Sequence, residues 1–195
     1  MSDLSKNALD QIFLEARTRN GWHDKPVPEA LLREIYDIAK MGPTTVNSQP
    51  QRIVFVTSAA AKEKLKPTLS EGNRDKTMKA PVVAIFAFDM KFYEHLAKLM
   101  PHAPAARSWF EGTPGLPTVA LRNASLQAAY FMIAARAKGL DCGPMSGFDA
   151  SKVNAEFFPD GKWKANFLCN LGHGDGSKLH PRAPRLDFAE ACVIL

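Results

Sequence analysis

The stretch Gly42-Pro43-Thr44-Thr45-Val46-Asn47-Ser48-Gln49-Pro50 decides how the chain is read. It leaves a well-patterned helix and runs into the strand Ile53-Val54-Phe55-Val56. It holds hydroxyls, carboxamides and prolines, and no charge. Proline fixes φ and lowers the entropic cost of holding a loop still. Thr, Asn, Ser and Gln offer donors and acceptors in many directions. Such a loop suits a planar ring with hydrogen-bonding edges, although the same residue types also make ordinary turns.

Outward from that loop the pattern is helical upstream and mixed downstream. Ala8, Leu9, Ile12, Phe13 and Ala16 share one face of a helix over 5–17. Leu31, Leu32, Ile35, Ile38 and Ala39 mark a second helix, with Pro28 in its first turn and Gly42 after its end. A helix is expected over 60–69, and 70–77 reads as a polar segment. Val82 to Phe88 is a near-continuous apolar run, the signature of a strand buried on both faces. Residues 92–100 suggest a short helix. Residues 101–117 hold Pro101, Pro104, Pro114 and Pro117 with little periodicity, and read as a long excursion or lid. The strongest helix spans 118–138, with Leu126, Ala129, Tyr130, Ile133, Ala134 and Ala137 in phase. Gly143 to Phe148 reads as a tight loop, and Asp149 caps a short helix. Asn166 to Leu171 is a strand, and Asp187 with Glu190 forms a capping box.

The 195 residues fit one domain, 1–195. Hydrophobic residues at 46% and charged residues at 23% suffice for a packed core. The net charge of +5 is spread without runs or aromatic interleaving, which argues against nucleic acid and for a pocket taking anionic small molecules. Cys142, Cys169 and Cys192 are an odd, widely spaced set, read as free thiols of a reducing compartment. With no apolar run long enough for a leader or a membrane span, a cytoplasmic protein is expected.

Several chemical motifs fail. Gly172, Gly174 and Gly176 follow a strand, but Ser177-Lys178 reverses the order a phosphate-binding Walker loop needs. No GxGxxG opens a helix after the first strand. Gly143 to Gly147 is out of register for a nucleophile elbow. Cys169 and His173 lack the second pair that a zinc site requires, so no metal is expected. What survives is a set of cations and amides on separate loops: Arg17 and Arg19, Asn73 and Lys76, Arg182 and Arg185. Arginine binds phosphate bidentately and lysine as a point charge, so their convergence would make a phosphate cradle.

In this order the segments resemble the FMN-dependent nitroreductase family across nearly the whole chain. Arg17-Thr18-Arg19 is similar to its phosphate-binding arginine motif, and Pro43 to Pro50 to its flavin loop. Asn73-Arg74-Asp75-Lys76 resembles its Asn-x-x-Lys element. Pro144-Met145-Ser146-Gly147 resembles the loop over flavin N5, and Arg182 with Arg185 the basic pair at the ribityl phosphate. Arg17 to Trp22, Ala106 to Phe110, Gly143 to Asp149 and Gly174 to Leu179 resemble the malonic semialdehyde reductase branch acting in pyrimidine degradation. Gly21, where many members carry a cation, and Gln51, where an aromatic is common, depart from the general pattern.

The resemblance implies an α+β fold with a mixed sheet flanked by helices. It implies a homodimer built on the central helix, with C-terminal arms exchanged and two FMN sites shared between subunits. Arg17, Thr18, Arg19, Asn73, Lys76, Pro144, Met145, Ser146, Gly147, Arg182 and Arg185 would come from one subunit. Pro43, Thr44, Thr45, Asn47 and Gln49 would come from the other. Ping-pong hydride transfer from NADH or NADPH through FMN follows, with no protein group assigned as catalytic. The acceptor would be malonic semialdehyde, giving 3-hydroxypropionate, or a nitroaromatic or quinone. A flavin binder without turnover is the reading outside enzymes. Arg107, flanked by Trp109 and Phe110, is expected to receive the substrate carboxylate.

Overall fold

The computed structural model describes residues 2–176 and 178–195. Ser177, within the Gly174–Leu179 motif, lies outside the described residues. Four strands form one sheet: β1 (Gln51–Val56), β2 (Val82–Asp89), β3 (Asp141–Met145) and β4 (Trp163–Gly172), in the order β1-β2-β4-β3. All three ladders are antiparallel. The expected mixed sheet therefore reduces to antiparallel strands with a single parallel bridge, Thr18 to Cys142, on the outer side of β3.

Strand β2 lies inside the sheet and is buried on both faces, as its apolar run implies. Val82, Ala84 and Phe86 face the helices α2 (Glu29–Ala39) and α6 (Leu116–Ala137), where Leu32, Ile35, Phe131 and Ala135 close the main core. Phe86 packs edge-on to Phe131, with ring centroids 5.4 Å apart. Val83, Ile85 and Ala87 face the other way, toward α3 (Ala59–Leu65) and α7 (Ala150–Phe157). Ser58 caps α3 through the Ala61 N–H and Asp149 caps α7 through the Lys152 N–H. Gly139, at φ +81°, ends α6.

Four segments differ from the sequence reading. The first helix is α1 (Lys6–Leu9), which widens into a π-helical turn over Asp10–Leu14 and stops short of Arg17. The polar segment after Leu69 is a helix, α4 (Glu71–Lys79). Its apolar residues form no stripe, but Glu71 in the first turn and Lys76 and Lys79 in the last suit the helix dipole. Gly143-Pro144-Met145 belongs to β3 rather than to a tight loop. Proline is tolerated there because β3 is an edge strand. The excursion is less open than expected. After α5 (Leu96–Leu99), a 3-10 segment over Pro104–Trp109 folds back on a satellite core of Phe92, Leu96, Ala106, Phe110 and Leu116. A last short helix, α8 (Phe188–Ala191), carries the Asp187–Glu190 capping box. None of the described helices is long and apolar enough to cross a membrane.

Candidate functional site

The segment after the π-helical turn runs along the free edge of β3. The Arg19 N–H donates to the Cys142 carbonyl at 3.0 Å, and His23 N–H to the His173 carbonyl at 2.9 Å. Gly143 makes this approach possible, since a Cβ there would lie 2.6 Å from the Arg19 carbonyl. Arg17, Thr18 and Asn20 are thereby turned toward the chain's last segment.

There a cleft of about 350 Å³ gathers Arg17, Thr18, Asn20, Arg136, Arg182 and Arg185. Arg17 Nη2 donates to the His180 carbonyl at 2.5 Å. Arg182 Nη2 donates to the carbonyls of Leu14 and Ala16, the latter at 3.2 Å. Arg185 Nη1 donates to the carbonyls of Ala183 and Pro184. Arg136 Nη1 reaches the Ile12 carbonyl at 3.3 Å, while its buried Nε has no partner. Among the described residues no acid lines the cleft. Four guanidiniums held by neutral carbonyls keep their full charge and spare donors, and that donor set fits a phosphate monoester.

Arg19 is not part of this gathering. Its Nε donates to Asp141 Oδ1 at 3.0 Å in a half-buried ion pair, and Asp141 Oδ2 accepts from the Gly174 N–H. This pair fixes the segment of Arg19 beside β3. Lys76 reaches Asn20 Oδ1 at 3.2 Å, which links α4 to the cleft, and burial lowers its pKa. Trp22 Nε1 donates to the Lys76 carbonyl and fixes the end of that helix.

The other face of α4 holds the segment after β3. Asn73 Nδ2 donates to the Gly147 carbonyl at 2.8 Å, and Ser70 N–H donates to the same oxygen at 3.0 Å. A Cβ on Gly147 would lie 2.4 Å from Asn73 Nδ2. Met145 is buried beneath, and its Sδ accepts from Thr77 Oγ1 at 3.4 Å. Pro144 is half-buried in β3, and Ser146 is exposed above it.

The loop that opened the sequence lies elsewhere, against the N-terminal half of α6. Thr45 N–H donates to Asn123 Oδ1 at 2.7 Å and Gln51 N–H to Gln127 Oε1 at 2.9 Å. Thr44 Oγ1 accepts from the Gln49 N–H. Asn47 Nδ2 donates to the Leu99 carbonyl and accepts at Oδ1 from Gln49 Nε2. Pro43 is exposed beside them. Val46, Asn47 and Gln49 hold φ at 46°, 53° and 43°. Three side-chain-bearing residues within four positions in the left-handed region are a strained arrangement, the kind found at binding sites. Asn123 and Arg136 are 13 positions apart on one helix, roughly 20 Å at about 1.5 Å per residue. In one chain the loop and the cleft therefore lie toward opposite ends of α6.

Arg107 sits on the exposed excursion with both Glu111 oxygens, at 2.7 and 2.6 Å, and lies over the Tyr93 ring. Phe110 is buried against Phe92 and anchors the excursion, while Trp109 is half exposed. Sequence reasoning missed Arg136, Asn123 and Gln127. The two amides stand on the one apolar helix, where a buried carboxamide is unusual enough to signal a task.

Comparison with known proteins bears on the whole arrangement. The family profile described as "Nitroreductase family" matches residues 17–173. A protein of Ralstonia nicotianae, provisionally named NADH dehydrogenase/NAD(P)H nitroreductase, is 59% identical over 196 residues, with 100% of both chains covered. A nitroreductase structure from Bacillus subtilis superposes at a TM-score of 0.88 with 23% identity, covering 98% of this chain and 100% of that one. One from Exiguobacterium sibiricum, in complex with FMN, superposes at 0.87 with 19% identity and full coverage of both. With a family profile matched over more than half of its length and a relative 59% identical from end to end, the chain belongs to the nitroreductase family.

Proposed function

We propose that this chain is an FMN-dependent NAD(P)H oxidoreductase, active as a homodimer and reducing a small polar acceptor. The observation that carries the reading is the acid-free cleft of Arg17, Arg136, Arg182 and Arg185, tied through Asn20 and Lys76 to the Asn73–Gly147 contact. In this reading the cleft holds the flavin phosphate, and the segment Pro144–Gly147 lies along the ring. When bound there, FMN supplies two-electron chemistry, passing hydride from NAD(P)H to an acceptor. The chain's own groups bind the phosphate, orient the ring and exclude water. No side chain is assigned as the proton donor.

The distance between the half-sites supports a shared site. Thr44, Thr45, Asn47 and Gln49 of one copy would complete the site built on the cleft of another. A single chain leaves Leu126 and Tyr130 of α6 exposed, with Tyr36, Ile38 and Met41 nearby in sequence and Phe188, Val193, Ile194 and Leu195 at the end. Such apolar surface marks an interface. Strand β1 is an open edge beside a groove of about 750 Å³ lined by Leu32, Tyr36 and Phe55. The exposed last residues of a second copy suit that groove, which is the arm exchange the sequence suggests.

For the acceptor we favour malonic semialdehyde, reduced at its aldehyde carbon to 3-hydroxypropionate as in pyrimidine degradation. The malonic semialdehyde reductase motifs support it. Arg107 would meet the acid only after leaving Glu111, with Trp109 and Phe110 shaping that cover. Two measurements test the proposal. The purified protein, reconstituted with FMN if needed, should be yellow and bleach anaerobically with NADH or NADPH. Protein that stays colourless, or yellow protein that never bleaches, overturns the oxidoreductase. A higher kcat/KM for nitroaromatics or quinones than for malonic semialdehyde overturns the acceptor.

A further inference from the structure

Beside Gln49 a second cleft, about 200 Å³, opens between α2, β1 and α5. Lys40, Gln51, Arg52, His95, Lys98 and Gln127 form its polar wall, and no acid lines it. This wall carries three cations, Lys40, Arg52 and Lys98, beside its amides. Gln127 is 5% exposed, and its Oε1 takes the Gln51 N–H. Its Nε2 makes no hydrogen bond among the described residues. Gln51 Nε2 is buried and also unpartnered. Lys98 has no ion pair or hydrogen bond among the described residues. Asp89, fully buried behind the wall, is engaged by Arg52 Nη2 at 2.7 Å and the Lys91 N–H at 2.8 Å. Arg52 Nη1 is held by the Gln49 and Gln51 carbonyls, and Lys40 by Asp37.

A buried amide donor left unpaired, as Gln51 Nε2 is, is costly, and unpaired donors gain most from an acceptor that brings its own charge. We infer that this cleft is a subsite for a small carboxylate, with Lys98 and Gln127 setting the preference for acidic acceptors. The inference rests on the reductase reading for its purpose, since it gives the acceptor's acid end a seat beside the loop of Asn47 and Gln49. A carboxylate has two oxygens and about four lone-pair sites, which suit two amides and an ammonium. The cleft is too small for a nucleotide and ample for an acid of a few carbons. Arg107 is the weaker reader, because Glu111 already takes its Nε and Nη2 donors and balances its charge.

Malonate is an unreactive probe of this site, and malonamide is its neutral control. Calorimetric titration of the FMN-loaded protein should show malonate binding and no comparable malonamide binding. Lys98→Met should weaken malonate at least tenfold. Gln127→Glu keeps the acceptor for the Gln51 N–H but adds a negative charge, and should abolish malonate binding. Lys98→Met, at an exposed position, should keep the wild-type affinity for FMN and the wild-type melting midpoint. The ratio of kcat/KM for the acid aldehyde over that for a neutral quinone should fall about tenfold in Lys98→Met. Malonate binding unchanged in both variants, or malonamide binding as tightly as malonate, overturns the subsite. If the wild-type protein takes no FMN, the reductase reading fails separately, and malonate titration of the flavin-free protein still decides the cleft.

Discussion

Val46 holds φ at 46° although it is β-branched, and the loop keeps it there through Asn123, Leu99 and the internal Thr44 and Asn47 contacts. Relieving one such residue is worth about 1 kcal/mol. Val46→Gly should raise the thermal midpoint while loosening flavin binding severalfold, because the loop is no longer pre-set; a lowered midpoint in calorimetry would count against stored strain. Asn47→Ala or Gln49→Ala should weaken FMN about tenfold in fluorescence titration and leave the fold intact. Gly147→Ala would set a Cβ against Asn73 Nδ2 and should break that hydrogen bond at a cost of about 1 kcal/mol. Burial lowers the Lys76 pKa, so its proton leaves at a lower pH than the ordinary lysine value. If Lys76 faces the bound anion, affinity falls as pH rises through that lowered pKa, and Lys76→Met should remove this limb. The sequence singled these residues out by type and by the family resemblance, and their contacts are what the structure adds. The role of Arg19 was not, because its partner Asp141 is 122 positions away and nothing local announces it.

Elements whose side chains follow a period were read well, and those stabilised otherwise were not. Strand β2 and helix α6 carry long apolar patterns, and both stand where those patterns place them. Helix α4 has no apolar stripe; the packing of Asn73 and Thr77 against the segment after β3 gives it a face. Strand β3 carries Gly-Pro, which reads as a turn wherever the sheet order is unknown. The π-helical turn escapes sequence because its carbonyls are satisfied by Arg136 and Arg182 from far along the chain. In the excursion, Arg107→Ala should raise KM for an acid aldehyde modestly and less than Lys98→Met does, as steady-state kinetics can rank. Deleting residues 188–195 should convert a dimer to monomer in light scattering and strip its flavin. A deletion variant that stays dimeric would mean the tail packs on its own chain.

At the scale of the molecule, β1, β2, β4 and α6 were predictable from pattern, whereas β3 and the antiparallel order of the sheet were not. The resemblance assigns the loop and the cleft to different copies, and the length of α6 keeps the two apart within one chain. Flavin affinity should fall with added salt, because the cleft's cations are partly exposed and screened. The same cleft joins residues 13–20 to residues 180–185, with Arg182 reaching back 168 positions to Leu14. A phosphate seated there acts as a reversible cross-link around nearly the whole polypeptide, closing a loop as a covalent bridge would. Hydrogen exchange and limited proteolysis should then report the ligand first at the two termini, far from any ring, and a protease should clip the flavin-free protein at its ends before its sheet is touched.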